Sequence, residues 1–241
     1  MTKVILFDLD GTLLPMDTDA FVNHYIKELA PKVGHIVDPN EFVKALMAGT
    51  EAMMKNLDAN ETNEQVFEAT FLSILSINRE DIWPTLDDFY ETVFPTFSHM
   101  CSPTSMARKV VKEATDKKYR VAIATNPVFP KAAINHRLKW AGIDDMPFEI
   151  VTVYEESVYT KPHSHYYQDI CDRLDVKPED CVMVGNDKQE DMVASNIGMK
   201  TFLVEGCVID RGQPQYPIDD QGTLEEFYQK LKEQTGVFAH Q

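Results

Sequence analysis

The sequence lacks a long apolar run. No stretch approaches the roughly 18 apolar residues a membrane helix needs. The apolar segment after Lys3 lasts only four residues before Asp8, too short and too acidic for the core of a signal peptide. Cysteine is sparse: Cys101, Cys171, Cys181 and Cys207 are the full set, with no CxxC pair among them. They read as reduced thiols, and together with the missing apolar run they predict a soluble, cytoplasmic protein. Basic residues are few, with 23 Lys and Arg against 39 Asp and Glu and a formal charge of −16. That excess repels nucleic acid and anionic membranes, so neither is an expected partner. Internal repeats and low-complexity tracts are missing as well.

What is present suits a globular α/β protein. The 241 residues are 44% hydrophobic and 26% charged, enough to bury a sizeable core. Five short apolar runs read as buried parallel strands: VILF (4–7), RVAIAT (120–125), EIVTVY (149–154), CVMVG (181–185) and TFLV (201–204). Helical spacing separates the later ones, with Ile134, Leu138 and Ala141 on one face and Tyr166, Tyr167, Ile170 and Leu174 on another. Strand and helix in alternation predict a parallel sheet with crossovers, whose ligands bind at the strand ends.

Residues 16–98 break the alternation with helical patterns only. Phe21, Tyr25 and Leu29 mark a first helix behind Asp17 to Asp19, and Phe42 and Leu46 a second after Asp38-Pro39. Phe67, Phe71, Ile74 and Leu75 mark a third after Thr62, and a fourth is expected from about Pro84 to Val93. The expected division is therefore a core of residues 1–15 and 99–241 with an all-helical insertion of 16–98. Residues 233–241 are expected to fray.

The strand ends carry the chemistry. The first ends in Asp8-Leu9-Asp10, the second in Thr125-Asn126, the third is followed by Lys161-Pro162, and the fourth ends in Gly185-Asn186-Asp187 with Asp191 four residues on. Asp8 and Asp10 at period-two spacing share a crevice and repel each other unless positive charge lies between them. Together these residue types support phosphoryl transfer through an aspartyl phosphate. Asp8 is the expected nucleophile and a magnesium ligand. Asp10 is the acid and then the base, which requires a pKa shifted toward neutral. Thr125 and Asn126 offer donors to the phosphoryl oxygens and Lys161 a fixed cation. Asp187 completes the expected magnesium set of Asp8, Asp10 and Asp187. Asp191 supports Lys161, Asn186 contributes beside the metal, and Gly11 lets the chain turn away from the phosphate.

In this order, DLDGT at 8–12, TN at 125–126, KP at 161–162 and GNDKQED at 185–191 resemble the haloacid dehalogenase-like hydrolase superfamily. The resemblance covers the whole chain apart from the insertion. It implies a Rossmann-like sheet ordered 5-4-1-2-3 with helices on both faces, a C1-type helical cap, and a magnesium-dependent phosphatase acting on a small phosphorylated metabolite. Two positions depart from the pattern: Asn186 stands where relatives often have Asp directly after the glycine, and His163-Ser164-His165 follows Lys161-Pro162 where a second proline is common. A phosphomutase, a 2-haloacid dehalogenase and a non-catalytic phosphate-binding module are the alternatives, and the presence of Asp10 and Asp187 weighs against the dehalogenase.

Blander readings cover other features. Counted from Asp8, an EF-hand loop would need Gly and Glu where Leu13 and Asp19 stand. His163-x-His165 lacks a third ligand and reads as an exposed helix start. His24 and Tyr25 read as packing, Met53 and Met54 as cap core, and Phe129-Pro130 equally as a wall of the site or a helix start.

Overall fold

In the computed structural model, which describes residues 2–239, six strands form one wholly parallel sheet in the order β3-β2-β1-β4-β5-β6. They are β1 (Val4–Phe7), β2 (Arg120–Ile123), β3 (Ile150–Val151), β4 (Cys181–Gly185), β5 (Lys200–Val204) and β6 (Asp220–Gly222). The expected order 5-4-1-2-3 is present, extended by β6 beside β5. This edge strand, Asp-Gln-Gly, has no apolar residue for a pattern to register, and its charge suits a solvent-facing edge. The β3 ladder is only two residues long, although Val153 and Tyr154 beyond it are buried.

Alternation along β1 divides the core into two layers. Ile5 and Phe7 face one apolar cluster with α5 (Ser105–Asp116) and α8 (Leu224–Glu233). Val4 and Leu6 face a second cluster with α7 (Ser164–Leu174). The remaining core helix, α6 (Lys131–Ala141), packs its apolar stripe into the first cluster. Residues 233–239 do not fray: Val237 and Phe238 are buried and Phe238 stacks on Tyr119 and Phe227, while Met1, His240 and Gln241 lie outside the described residues.

Between β1 and α5 the chain is helical. The segment holds α1 (Thr18–Leu29), α2 (Pro39–Lys55), α3 (Asn63–Leu75) and α4 (Arg79–Asp88), followed by a π turn at Phe89–Val93 and a 3-10 stretch at Phe94–Met100. Asp17, within the anticipated cap at Asp17 to Asp19, accepts a backbone N–H of its own helix, and Asp38 and Thr62, after which helices were expected, act as caps in the same way. The fourth helix starts earlier than Pro84. Asp81 takes the Asn78 N–H at 3.0 Å to fix its first turn, and Pro84 sits inside the helix, forgoing one ladder bond.

The two connections into this segment run side by side. Met16 bridges Cys101, and the Ser102 N–H reaches the Pro15 carbonyl at 2.8 Å. Asn63 at the start of α3 ties it to the core loops, its Nδ2 donating to the carbonyls of Pro127 at 3.1 Å and Tyr159 at 3.3 Å. The helices therefore lie over the C-terminal ends of β1 and β2, where ligands bind in such sheets. Among the described residues no helix is long and apolar enough to cross a membrane, and the four cysteines are unpaired thiols.

Candidate active site

Asp8 is the first residue past β1 and continues its ladder, donating its N–H to the Val184 carbonyl at 2.9 Å. Its carboxylate, 6% exposed, is gripped on both oxygens: Lys161 Nζ donates to Oδ1 at 2.9 Å and Thr12 Oγ1 to Oδ2 at 3.0 Å. Lys161, only 1% exposed, also reaches Asp191 Oδ1 at 2.6 Å. Burial pulls the lysine pKa down, but the facing carboxylates of Asp191 and Asp8 outweigh it and hold the ammonium well above its usual range. The positive charge that the Asp8/Asp10 spacing demands is in place.

Glycine allows these parts to approach. Gly11 has φ +86°, and a Cβ there would run into the Asn186 side chain. Its position thus seats Asn186 as well as turning the chain. Asn186 Nδ2 donates to the Cys207 carbonyl at 2.7 Å, which fixes its Oδ1 toward Thr12 Oγ1, 2.9 Å away. A Cβ on Gly185 would likewise collide with the Asp191 carboxylate. Asp191 Oδ2 accepts the Asp187 N–H at 2.9 Å, so one carboxylate braces both Lys161 and the Asp187 turn.

Asp187, 5% exposed, accepts the N–H groups of Gln189 at 2.9 Å and Glu190 at 2.8 Å on Oδ1. Its Oδ2 faces Arg211 Nη1 at 2.6 Å, and the arginine side chain is half-exposed. Asn126 links two loops, accepting the Lys161 N–H at 3.2 Å and donating to Glu190 at 3.1 Å. Thr125 is buried, and its carbonyl is held by Thr152 Oγ1 at 2.7 Å and Tyr166 OH at 2.8 Å.

Asp10 has a partner that sequence reasoning missed. Arg137 on α6, 2% exposed, donates from Nη1 to Asp10 Oδ2 at 2.6 Å. Its guanidinium carbon lies 4.1 Å from the ring centre of Phe129, 5.0 Å from Phe21 and 5.6 Å from Phe94. Among the described residues, Asp10 Oδ1 and Arg137 Nε and Nη2 are buried without a hydrogen-bond partner. Burial raises the Asp10 pKa above its ordinary value, Arg137 opposes, and Asp8 adds to the rise. The net direction is the one an acid/base role requires.

Asp8, Asp10, Thr125, Asn126, Lys161, Asn186, Asp187 and Asp191 all line a single cavity of about 170 Å³, and Gly11 is not in its wall. Arg137, Arg211 and Phe129 line it too, so Phe129 is a wall of the site as well as the approach to a helix. Arg137 left one signal, a charge on the apolar stripe of α6 between Ile134 and Ala141. Arg211 belongs to the irregular segment after β5 and left none. His163 caps the start of α7, as expected, but is partly buried rather than exposed: its Nε2 donates to the Met54 carbonyl at 2.7 Å, joining the Lys161 loop to α2. His24 meets Phe97 edge-on and does not line the cavity.

Among the described residues, no three His, Cys, Asp or Glu side chains gather closely enough to enclose a metal by themselves. Magnesium needs no such cage, being held by one or two carboxylates with waters and substrate phosphate. Asp8, Asp187 and the Asn186 amide oxygen are hard oxygen donors on one cavity wall, and the buried Asp10 Oδ1 is free beside them. The donor chemistry fits a hard divalent cation.

Carboxylates and a buried lysine gather at the C-terminal edge of a parallel sheet, an arrangement suited to a hydrolase. Residues 2–195 match the sequence model of the haloacid dehalogenase-like hydrolases, and the chain belongs to that family. It is similar to the pyrophosphatase PpaX of Bacillus cereus, 24% identical over 92% of this chain and 94% of the relative. In fold it resembles a phosphatase of the same superfamily from Thermococcus onnurineus, with TM-score 0.60, 20% identity and coverage of 95% of this chain and 98% of that one. It also resembles the L-2-haloacid dehalogenase of Xanthobacter autotrophicus, with TM-score 0.59, 15% identity and coverage of 98% and 100%.

Proposed function

We propose that the protein is a magnesium-dependent phosphohydrolase that cleaves a small phosphorylated metabolite through an aspartyl phosphate on Asp8. One observation carries this reading. A nucleophilic carboxylate clamped by Lys161 and a second carboxylate of raised pKa, two residues on, open into the same small cavity. The phosphatase names of the curated relative and of a structural neighbour support it. In this reading residues 16–98 are a cap and residues 1–15 with 99–241 the catalytic core.

Asp8 attacks phosphorus as the bond to the leaving oxygen breaks, and protonated Asp10 gives that oxygen its proton. Asp10, now a carboxylate stabilised by Arg137, takes a proton from water as the water oxygen attacks phosphorus and frees Asp8. Lys161 and Thr12 hold the Asp8 carboxylate in its attacking orientation. Lys161, with donors from Thr125 and Asn126, meets the charge on the phosphoryl oxygens. A magnesium ion held by Asp8 and Asp187, with Asn186 alongside, would neutralise charge on the phosphate. The cap excludes water while the reaction proceeds.

The dehalogenase reading shares the nucleophile but leaves Asp10, its buried Arg137 and Asp187 without a task. Phosphate release from a panel of phosphomonoesters, with magnesium or with EDTA, tests the proposal. Release should need both magnesium and Asp8, and Asp8→Asn should abolish it. Release that persists in Asp8→Asn, or none from any ester, would overturn it.

A further inference from the structure

A second cavity, of about 420 Å³, lies between α1, α2, α3, α4 and the loop after β2. Val22, Val128 and Phe129 line both this cavity and the catalytic one, so the two adjoin at these three side chains, where a throat between them would lie. Beyond the throat the walls are aromatic: Phe42, Phe67, Phe71 and Trp83 from the helices and Tyr154 from the core. Phe42 and Phe71 are themselves fully buried. The volume lies in the range of cavities that hold whole small-molecule ligands, and it exceeds what a phosphoryl group needs.

The polar groups of this cavity tell against an anion. Among the described residues, Arg79 is its one cation. Its Nε is paired with Glu68 at 2.9 Å and its Nη2 with Glu64 at 3.5 Å, and its guanidinium stacks 4.6 Å over Trp83. Glu64, Asp87 and Glu155 leave the lining net acidic. The Tyr25 and Tyr90 hydroxyls bond each other at 2.8 Å. A second phosphate or a carboxylate seated here would lose its hydration against aromatic and acidic walls with no uncommitted cation to meet it.

Resting on the phosphatase reading of the adjoining site, we propose that the substrate is the phosphate monoester of a bulky, flat, apolar alcohol carrying no negative charge. Its leaving group passes the throat of Val22, Val128 and Phe129 and fills the aromatic cavity. The pyrophosphatase name of the curated relatives does not carry over, because pyrophosphate would place an anion where this chain has aromatic rings.

The test compares kcat/KM of the full chain with magnesium for 2-naphthyl phosphate, glyceryl phosphate and pyrophosphate, together with calorimetric binding of 2-naphthol alone. Leu46 lines the cavity but not the catalytic one, so Leu46→Trp fills the space. Thr50→Phe, from the same wall, replaces it should the tryptophan variant not fold. We expect 2-naphthyl phosphate to be preferred by about 100-fold or more. We also expect saturable 2-naphthol binding, and a loss on filling the cavity at least about tenfold greater for the naphthyl than for the glyceryl ester. Equal or better turnover of glyceryl phosphate or pyrophosphate, with no 2-naphthol binding, overturns the proposal and leaves the phosphatase reading standing. Saturable 2-naphthol binding that cavity filling abolishes, with no ester hydrolysed, upholds the cavity's ligand class and overturns the phosphatase reading instead.

Discussion

Arg137→Met replaces a buried guanidinium with an apolar side chain of similar reach among Phe21, Phe94 and Phe129. The variant loses a charge-assisted hydrogen bond of about 1.5–3 kcal/mol and a desolvated cation–π contact of about 2 kcal/mol. Against that, among the described residues, Nε and Nη2 are buried without partners, and removing them relieves about 1–3 kcal/mol each. The midpoints nearly cancel, so stability should move little and at most by about 3 kcal/mol, or roughly 12 °C in Tm for a chain of this size. Catalysis has no such compensation. Without the guanidinium, the Asp10 carboxylate loses both its anchor and the charge that stabilises it as a base. The second half-reaction should slow by about 100-fold, at the lower end of what a positioned acid/base provides. Stopped-flow release of an aryl alcohol should then show a burst equal to the enzyme, followed by slow turnover, while thermal melts stay close to wild type. A kcat within twofold of wild type, or a collapse of Tm with activity falling only in proportion, would refute this reasoning.

Lys161→Met leaves Asp8 and Asp191 facing each other in a buried site; it should cost about 3–5 kcal/mol, a Tm loss of roughly 6–20 °C, and abolish phosphate release. Gly185→Ala drives a Cβ into the Asp191 carboxylate, so it should lower both Tm and kcat. Adding Asp191→Ala removes the collision together with the bonds to Lys161 and the Asp187 N–H, so the double variant should lose less Tm than the two single variants together, a non-additivity that a double-mutant cycle measures. Arg211→Ala frees Asp187 Oδ2 from its guanidinium partner, and calorimetric titration should show magnesium binding several-fold more tightly than in wild type; unchanged affinity would mean Arg211 does not compete for that oxygen.

The core and its strand ends were legible because their signals are local. An apolar run that stops at Asp8, or at Gly185-Asn186-Asp187, marks both a strand and the edge where its chemistry sits. The cap at Asp17 and the helix starts after Asp38 and Thr62 were legible for the same reason. Arg137 and Asp10 are 127 positions apart, and only the packing of α6 against the sheet brings them together. A charge on an apolar stripe reads as a stripe's edge until a partner is seen. Arg211 meets Asp187 from an irregular segment that carries no periodicity. The edge strand β6 lacks the apolar residues that mark a strand, and Pro84 moved the expected start of α4 because proline in a sequence reads first as a breaker. The size and lining of the cavity among the helices depend on how four helices pack, which residue spacing within each helix does not encode.

The most direct test of the account is to quench the wild-type chain in acid during turnover of its best ester and map the phosphoryl group by peptide mass spectrometry. The account predicts a phosphorylated peptide containing Asp8 that is absent from Asp8→Asn. Turnover with no phosphorylated peptide, or with the phosphoryl group on another residue, would contradict it.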